Sequence, residues 1–150
     1  MKDLHHNTKS VRLINETVTS GGGAVNSGDI DRQGFNSQEF LVDFGANLGD
    51  TLSGSNYFTV ALTHADDDGT GAAGSYTAVA AADVLGATPD ANGVVVTVDD
   101  AAEDEALYQF GYKGNKRFTK LTITPVGTLT NGNPVTALLV KGDAENKPTQ

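Results

Sequence analysis

Cysteine and tryptophan are both missing from this sequence, and each absence excludes a class of structure or chemistry. Without cysteine the chain forms no disulfide, offers no thiolate nucleophile and builds no cysteine-ligated zinc site. Without tryptophan it lacks one of the aromatic platforms that normally accompany a sugar-binding cleft. Long apolar runs are missing too: no segment approaches about 18 consecutive apolar residues, so the sequence predicts no membrane-spanning helix.

Positive charge is scarce as well. The 150 residues include 10 Lys and Arg against 19 Asp and Glu, which gives a net charge of −9. This balance argues against nucleic-acid binding, because the phosphate backbone attracts cationic surfaces, and it favours solubility. Four of the ten cations nevertheless fall within the stretch GYKGNKRFTKLTITP, residues 111–125. The sequence therefore raises the question of what this basic segment contacts.

Apolar and polar residues alternate in many short segments that are separated by glycine-rich turns. In QEFLVDFGA the alternation places Phe40, Val42 and Phe44 on one face, and NYFTVALTHA repeats the pattern over residues 58–62. About eight or nine segments of this kind occur, and none has convincing helical periodicity. We therefore expect an all-β fold, an antiparallel β-sandwich or jelly roll that forms a single domain over residues 1–150.

Two polar terminal segments flank this predicted body. Residues 11–18 (VRLINETV) alternate imperfectly, as is typical of an edge or arm strand, so residues 1–18 are predicted to form an extended arm. Residues 142–150 are predicted to form a polar tail. An arm of this kind would add to a neighbouring subunit's sheet through backbone hydrogen bonds, which tolerate ordinary side chains.

Two acidic segments are candidates for chemistry. Asp66–Asp68 precede Gly69, but their spacing does not fit an EF-hand loop, and an exposed turn is preferred over a cation site. Residues 99–105 (DDAAEDE) carry five acids in seven residues. A glycosidase pair would need a fixed separation within a cleft. A solvated loop, or a loop that meets a neighbour's cations, is therefore the preferred interpretation.

No catalytic arrangement is found in the sequence. His5, His6 and His64 are scattered along the chain and are interpreted as surface residues. There is no GxSxG nucleophile motif and no phosphate-binding glycine loop followed by lysine. The sequence therefore predicts no catalytic residue, no metal ligand and no cofactor, and hence a protein that is not an enzyme.

The basic segment is predicted to begin with a β-hairpin turn, because Gly114 and Asn115 supply the backbone freedom that a tight reversal needs. The lysines that flank the turn would project into solvent. Two interpretations of Arg117 and Lys120 remain open. They could pair with residues 99–105 of the same chain, a contribution of about 0–1 kcal/mol if exposed. Alternatively they could meet an acidic neighbouring subunit, where charge sets register and specificity.

Three stretches carry a family resemblance: DRQGFNSQEFLVDFG, FTVALTHADDDGT and YQFGYKGNKRFTKLTITPVGT, together with the MKDL start. Over residues 1–128 the chain resembles a group of small virion proteins found in tailed bacteriophages, prophages and gene-transfer-agent-like particles. Members of this group are generally regarded as head-associated structural proteins, so the resemblance implies a capsid decoration, or cement, protein. The aromatic-rich Tyr-to-Arg segment also resembles galactose-binding jelly rolls, which leaves sugar recognition as a rival.

A decoration protein would bind the outer surface of a phage head at subunit junctions, as a trimer in our hypothesis, and would stabilise the head. Its partner would be the major capsid protein, with no nucleic acid or membrane involved, and it would be made in the host cytoplasm. A tail, head-fibre or adsorption component and a carbohydrate-binding module are the alternatives. The residues predicted to contact a partner are Lys2, Leu4, His5, His6, Lys9, Arg12, Lys113, Lys116 and Arg117.

Overall fold

Residues 4–146 are described by a computed structural model of the protein, and they form two antiparallel β-sheets packed face to face. Apart from two single turns of 3-10 helix, His5–Asn7 and Ala81–Asp83, the regular structure of these residues is entirely β. No helix in this part of the chain has the length and apolar character to cross a membrane. The strands are β1 (Lys9–Val18), β2 (Val25–Asn26), β3 (Ile30–Asp31), β4 (Phe35–Phe44), β5 (Tyr57–Ala65), β6 (Thr77–Ala78), β7 (Val84–Leu85), β8 (Val94–Val98), β9 (Leu107–Tyr112), β10 (Phe118–Val126) and β11 (Asn133–Ala144).

The strand order is that of a jelly roll. The first sheet has the order β1-β11-β4-β9-β7. In the second sheet β10 lies between β5 and the short strands β2 and β3, and β5 also pairs with β8 and β6. The two sheets are connected as in jelly rolls, so the predicted all-β sandwich is confirmed. The eleven strands exceed the eight or nine predicted because four of them contain only two residues.

Alternating apolar residues fill the space between the sheets. The residues predicted to share a face in β4 and in β5 are all fully buried: Phe40, Val42, Phe44, Phe58, Val60 and Leu62. Phe44 and Phe58 meet across the two sheets with ring centroids 5.7 Å apart. Phe40 stacks on Phe110 of the neighbouring strand β9 at 5.5 Å. One apolar layer, anchored by aromatic rings, therefore holds the two sheets together.

Residues 9–18 belong to this body, which corrects the prediction of an extended arm over residues 1–18. β1 pairs with β11 along nearly its whole length. Ile14 and Val18 are buried in the core, and this burial, together with the backbone pairing, holds the strand on the sheet. The residues before β1 form a single 3-10 turn, His5–Asn7, beside β11, and residues 1–3 lie outside the described part of the chain.

The predicted polar tail begins later than residue 142. Residues 142–144 continue strand β11, where they pair with the start of β4. Backbone hydrogen bonding therefore extends the sheet into a segment whose side chains are mostly polar. Residues 147–150, the remainder of the predicted tail, lie outside the described residues.

The basic segment forms a corner between the two sheets, and the hairpin prediction was wrong. β9 ends at Tyr112 and pairs with β4 in the first sheet, whereas β10 begins at Phe118 and pairs with β5 in the second. Residues 113–117 therefore carry the chain from one sheet to the other. Local turn chemistry suits a hairpin and a corner equally well, and the strand pairings on either side decide between them.

Candidate interaction surfaces

Tyr112 fixes the conformation of residues 113–117, the inter-sheet corner. Its hydroxyl accepts a hydrogen bond from the Lys116 backbone N–H at 3.2 Å and lies 2.9 Å from Nδ1 of His64. Gly114 passes close over the ring, and a Cβ added there would lie 2.5 Å from the hydroxyl oxygen. The glycine is thus explained by the close approach of the backbone to Tyr112.

The cations of the inter-sheet corner pair with acids from two distant segments. Arg117 donates to Asp31 from Nε at 3.0 Å and from Nη2 at 2.7 Å, and it also pairs with Asp67. Lys116 pairs with Asp66. The hydrogen bond from Arg117 is the main cause of a lowered pKa at Asp31. Because Lys116 and Arg117 are both half-buried, these pairs hold the corner against its neighbours in the fold.

These partners are not the acids that the sequence suggested for the basic segment. Lys120 pairs with Asp29 at 2.9 Å, and the partners of Arg117 lie 86 and 50 residues away along the chain. Residues 99–105, the acidic loop, contribute nothing: within residues 4–146 none of its five acids forms an ion pair. Three cations of the basic segment therefore pair with acids of the same chain, but not with the acids of the acidic loop.

The acidic loop is held by hydrogen bonds to backbone groups. The carboxylate of Glu103 accepts hydrogen bonds from the N–H groups of Asp99 at 2.9 Å and Asp100 at 3.3 Å. The carboxylate of Asp104 accepts one from the N–H of Asn47 at 3.1 Å. The loop therefore has a defined conformation, although no cation of residues 4–146 pairs with it.

The acidic turn before Gly69 also uses its carboxylates for its own backbone. Asp67 accepts hydrogen bonds from Gly71 at 3.1 Å and Gly69 at 2.7 Å, and these bonds lower its pKa. The side-chain and backbone donors of Thr70 lower the pKa of Asp68 in the same way. Within residues 4–146 no three His, Asp or Glu side chains are grouped so as to hold a metal ion.

His64 is buried, which corrects its interpretation as a surface residue. It is 8% exposed, and its ring packs edge to face on Tyr112 with centroids 5.8 Å apart. An oxygen of Asp83 lies 4.0 Å from Nδ1. Burial is the main cause of a lowered pKa at His64, and the charge of Asp83 opposes it. His64 is therefore a hydrogen-bonded support of the inter-sheet corner.

The lowered pKa of His64 makes the stability of the fold dependent on pH. Because the unfolded chain, with a histidine pKa near 6.5, takes up the proton first, protonation favours unfolding. The contribution of neutral His64 to the free energy of unfolding is therefore complete above pH 6.5. It is lost as the pH falls through the pKa of His64 in the folded state. Denaturant titrations at closely spaced pH values should show this decline. It should disappear in His64→Gln and persist in His6→Gln, which alters an exposed histidine; a decline that survives in both variants would assign it to other groups.

The cations predicted to contact a partner fall into two groups. Lys9, Arg12 and Lys113 are exposed, and none of them pairs with a carboxylate of residues 4–146. Lys116 and Arg117, by contrast, are engaged in the ion pairs of the inter-sheet corner. The structure thus leaves the first three available for contact with another molecule.

The remaining predicted contact residues precede β1. Leu4 is 65% exposed. The exposed rings of His5 and His6 meet edge to face with centroids 5.1 Å apart, and their short turn lies beside β11. Lys2 lies outside the described residues.

The outer surface of the first sheet carries leucines that were not among the predicted contact residues. Leu138 is 38% exposed and lies opposite the half-buried Leu41. Leu85 and Leu107, on β7 and β9, are 53% and 63% exposed. These four residues are the leucine face. The signal for it is the unbroken apolar run ALLV in β11, because such a run places apolar residues on both faces of a strand.

A second feature, the edge cleft, lies at the side of the sandwich between β1 of the first sheet and β3 of the second. Its volume is about 260 Å³. Its lining includes the apolar side chains of Val11, Leu13 and Leu139 and the cations Arg12 and Lys141. Asp29 and Asp31 line it as well, so the cleft combines apolar contact area with charges of both signs.

Comparisons with known proteins find only distant similarity. No protein-family model and no curated protein sequence matches the chain. Among solved structures it is similar to a protein of Bacillus endospore appendages, a novel family of disulfide-linked pili. That pair has 13% identity and a TM-score of 0.41, and it covers 92% of this chain and 88% of the other.

Two further solved structures show similarity of the same order. One is the SPBc2 prophage-derived protein YomS, with 15% identity, a TM-score of 0.44 and coverage of 90% of this chain and 94% of the other. The other is the N-terminal CBM22-1-GH10 part of Clostridium thermocellum endo-1,4-β-D-xylanase 10B, complexed with xylohexaose. That pair has 12% identity and a TM-score of 0.35, and it covers 89% of this chain but 29% of the other. Similarities this distant carry no argument about function.

Proposed function

We propose that this protein is a decoration protein of a virion, which binds the outer surface of a phage head at subunit junctions and stabilises it. Its partner is the major capsid protein, and it binds as a trimer after synthesis in the host cytoplasm. The proposal assigns no catalytic residue, metal, cofactor, nucleic acid or membrane to the chain. The observation that carries it is the leucine face, and the sequence resemblance to small virion proteins supports the phage setting.

The leucine face has the make-up of a protein-binding surface. Full burial of an exposed leucine side chain contributes about 1.5–3 kcal/mol. Polar side chains lie among and around the leucines, including Glu39, Asp43 and Gln109 on β4 and β9. An apolar centre with polar groups around it is typical of protein interfaces. A sheet of four long strands would present this surface as a broad platform to a capsid subunit.

The opposite side of the sandwich differs in a way that suits exposure to solvent. On the outer surface of the second sheet, Thr97, Thr59 and Thr124 lie side by side across β8, β5 and β10. Threonine hydroxyls interact readily with water, and the net charge of −9 opposes aggregation. The sandwich therefore has one apolar and one polar outer face, and we assign the apolar face to the head.

The test is binding of purified protein to phage heads that lack it. Leu138→Asp is expected to lower the affinity by about tenfold or more, because burying an unpaired carboxylate is costly. Thr97→Asp places the same charge on the opposite face and is the matched control, expected to bind like the unaltered protein. Electron microscopy of saturated heads should then show added density at subunit junctions. Equal binding by the two variants, or added density elsewhere, would refute the assignment.

A further inference from the structure

Both halves of a charge-complementary contact are present on this chain, at positions that cannot meet within one molecule. We propose that one copy of the chain binds the next head to tail, with the acidic loop of one copy entering the edge cleft of its neighbour. This inference names the surfaces that join the copies in the proposed trimer, and to that extent it rests on the proposed function. The evidence for it comes from the cations, the acids and their separation.

Two cations beside the edge cleft, Arg12 and Lys9, pair with no carboxylate of residues 4–146. Arg12 lies on the lining of the cleft and is exposed. Lys9 lies directly opposite Lys141 in the β1–β11 register, and like charges in that position destabilise a strand pair. Lys141 donates to a backbone carbonyl, and its burial lowers its pKa. An anion brought to this place would relieve the repulsion between the two lysines.

Two acids also line the edge cleft, and both interact with cations of this chain. Asp31 accepts hydrogen bonds from Arg117, and Asp29 pairs with Lys120 at 2.9 Å. Asp31 also attracts Lys141 of the first sheet. Within residues 4–146 the charges left without a partner beside the cleft are those of Arg12 and Lys9, and both are positive.

The acidic loop lies at an end of the sandwich that has no cation of its own. Four connecting segments form that end, and none of them contains lysine or arginine: residues 19–24, 45–56, 99–106 and 127–132. The loop carries five acids without an ion pair, and its hydrogen bonds hold it in a defined conformation. It therefore presents a preformed anionic surface, and ordering it on binding requires little loss of conformational freedom.

The loop cannot reach the edge cleft of its own chain. The acidic loop is followed by β9, which begins at Leu107, whereas the cleft lies at β1. In the first sheet β11 and β4 lie between β1 and β9. Three strand spacings amount to about 14 Å. Arg12 lies in the same row of the sheet as Gln109 of β9, and Lys9 lies in the row of Tyr112, about 17 Å from Leu107 along the strand direction. The width of the sheet therefore separates the complementary surfaces, so their contact joins different copies.

A contact between two different surfaces is heterologous, and such contacts close into rings when the rotation permits. Three copies joined in this way form the ring that a threefold site requires. The apolar lining of the edge cleft adds contact area beside the charges. Arg12 lies directly opposite Leu138, so the contact reaches the border of the leucine face. Leu41, Leu85 and Leu107 lie on strands farther from the cleft and stay available for the head.

Charge reversal tests the contact in the full-length protein. Lys9→Glu with Arg12→Glu reverses the two unpaired cations at the cleft, and Asp99→Lys with Glu105→Lys removes most of the loop's negative charge without touching the carboxylates that hold it. Sedimentation equilibrium should show self-association of the unaltered chain that weakens with added salt. Each double variant alone should weaken association by about tenfold or more.

Lys113→Glu removes another exposed, unpaired cation, away from the cleft, and should leave association unchanged. Thermal unfolding checks that each variant folds, and the milder Arg12→Gln replaces the cleft variant if that one is unfolded. A monomeric unaltered chain, or undiminished association in either double variant, overturns the inference. Binding to phage heads is measured separately. A chain that self-associates but does not bind heads refutes the proposed function alone. A monomer that binds heads refutes this inference alone.

Discussion

Replacing Gly132 by alanine is expected to lower the free energy of unfolding by roughly 3–5 kcal/mol, from left-handed backbone strain and from overpacking. Gly132 has a φ of +71°, and an added Cβ would meet the Val18 carbonyl oxygen and lie 2.8 Å from Cγ2 of Thr19. Val18 is the last residue of β1 and Thr19 follows it directly. Neither residue can move away from the added methyl group without disturbing that strand. Since domains of this size are stable by about 5–15 kcal/mol, this single methyl group should remove a large share of the stability.

Gly28 provides the matched control for this substitution. Its φ of +70° is nearly the same, but nothing lies within 4 Å of the position a Cβ would take. Gly28→Ala should therefore cost only the backbone term, about 1–2 kcal/mol. Urea denaturation of both variants gives the difference, which measures the collision with Val18 and Thr19. Equal losses in the two variants would show that the strand yields freely at this point.

Phe40→Ala is expected to cost about 3–5 kcal/mol, the usual range for removing a fully buried aromatic side chain. Phe40 is completely inaccessible to solvent and stacks on Phe110 with an interplanar angle of 13°. The melting temperature should fall by on the order of 10 °C for a chain of this length. Phe35→Ala, at the half-buried start of the same strand, is the control and should cost less than half as much. A small effect at Phe40 would mean that the core collapses into the vacated space.

The faces of the long strands could be predicted because a period of two is a local property. Phe40, Val42 and Phe44 are each separated by one residue, and a single buried layer explains that spacing without reference to the rest of the fold. The same reasoning missed the leucine face. The run ALLV in β11 breaks the alternation, and its extra apolar residue, Leu138, was not recognised as surface.

The inter-sheet corner could not be predicted from the sequence, because its structure depends on distant partners. Arg117 pairs with Asp31, which is 86 residues away in the sequence, and with Asp67, which is 50 residues away. Nothing near Arg117 in the chain favours those acids over the acidic loop. The burial of His64 has the same origin, since it depends on the hydroxyl of Tyr112, 48 residues away. Single-sequence reasoning identifies which groups need partners, while the topology of the sheets decides which partners they obtain.

The pairing of β1 with β11 also determines when the first sheet can form during synthesis. Lys9 lies opposite Lys141 and Val18 opposite Asn133, so the first long strand has no partner until the last one has left the ribosome. Until then Ile14 and Val18 have no core to enter. Folding of the first sheet therefore awaits the synthesis of β11 and is slow, because contacts between distant parts of a chain form slowly.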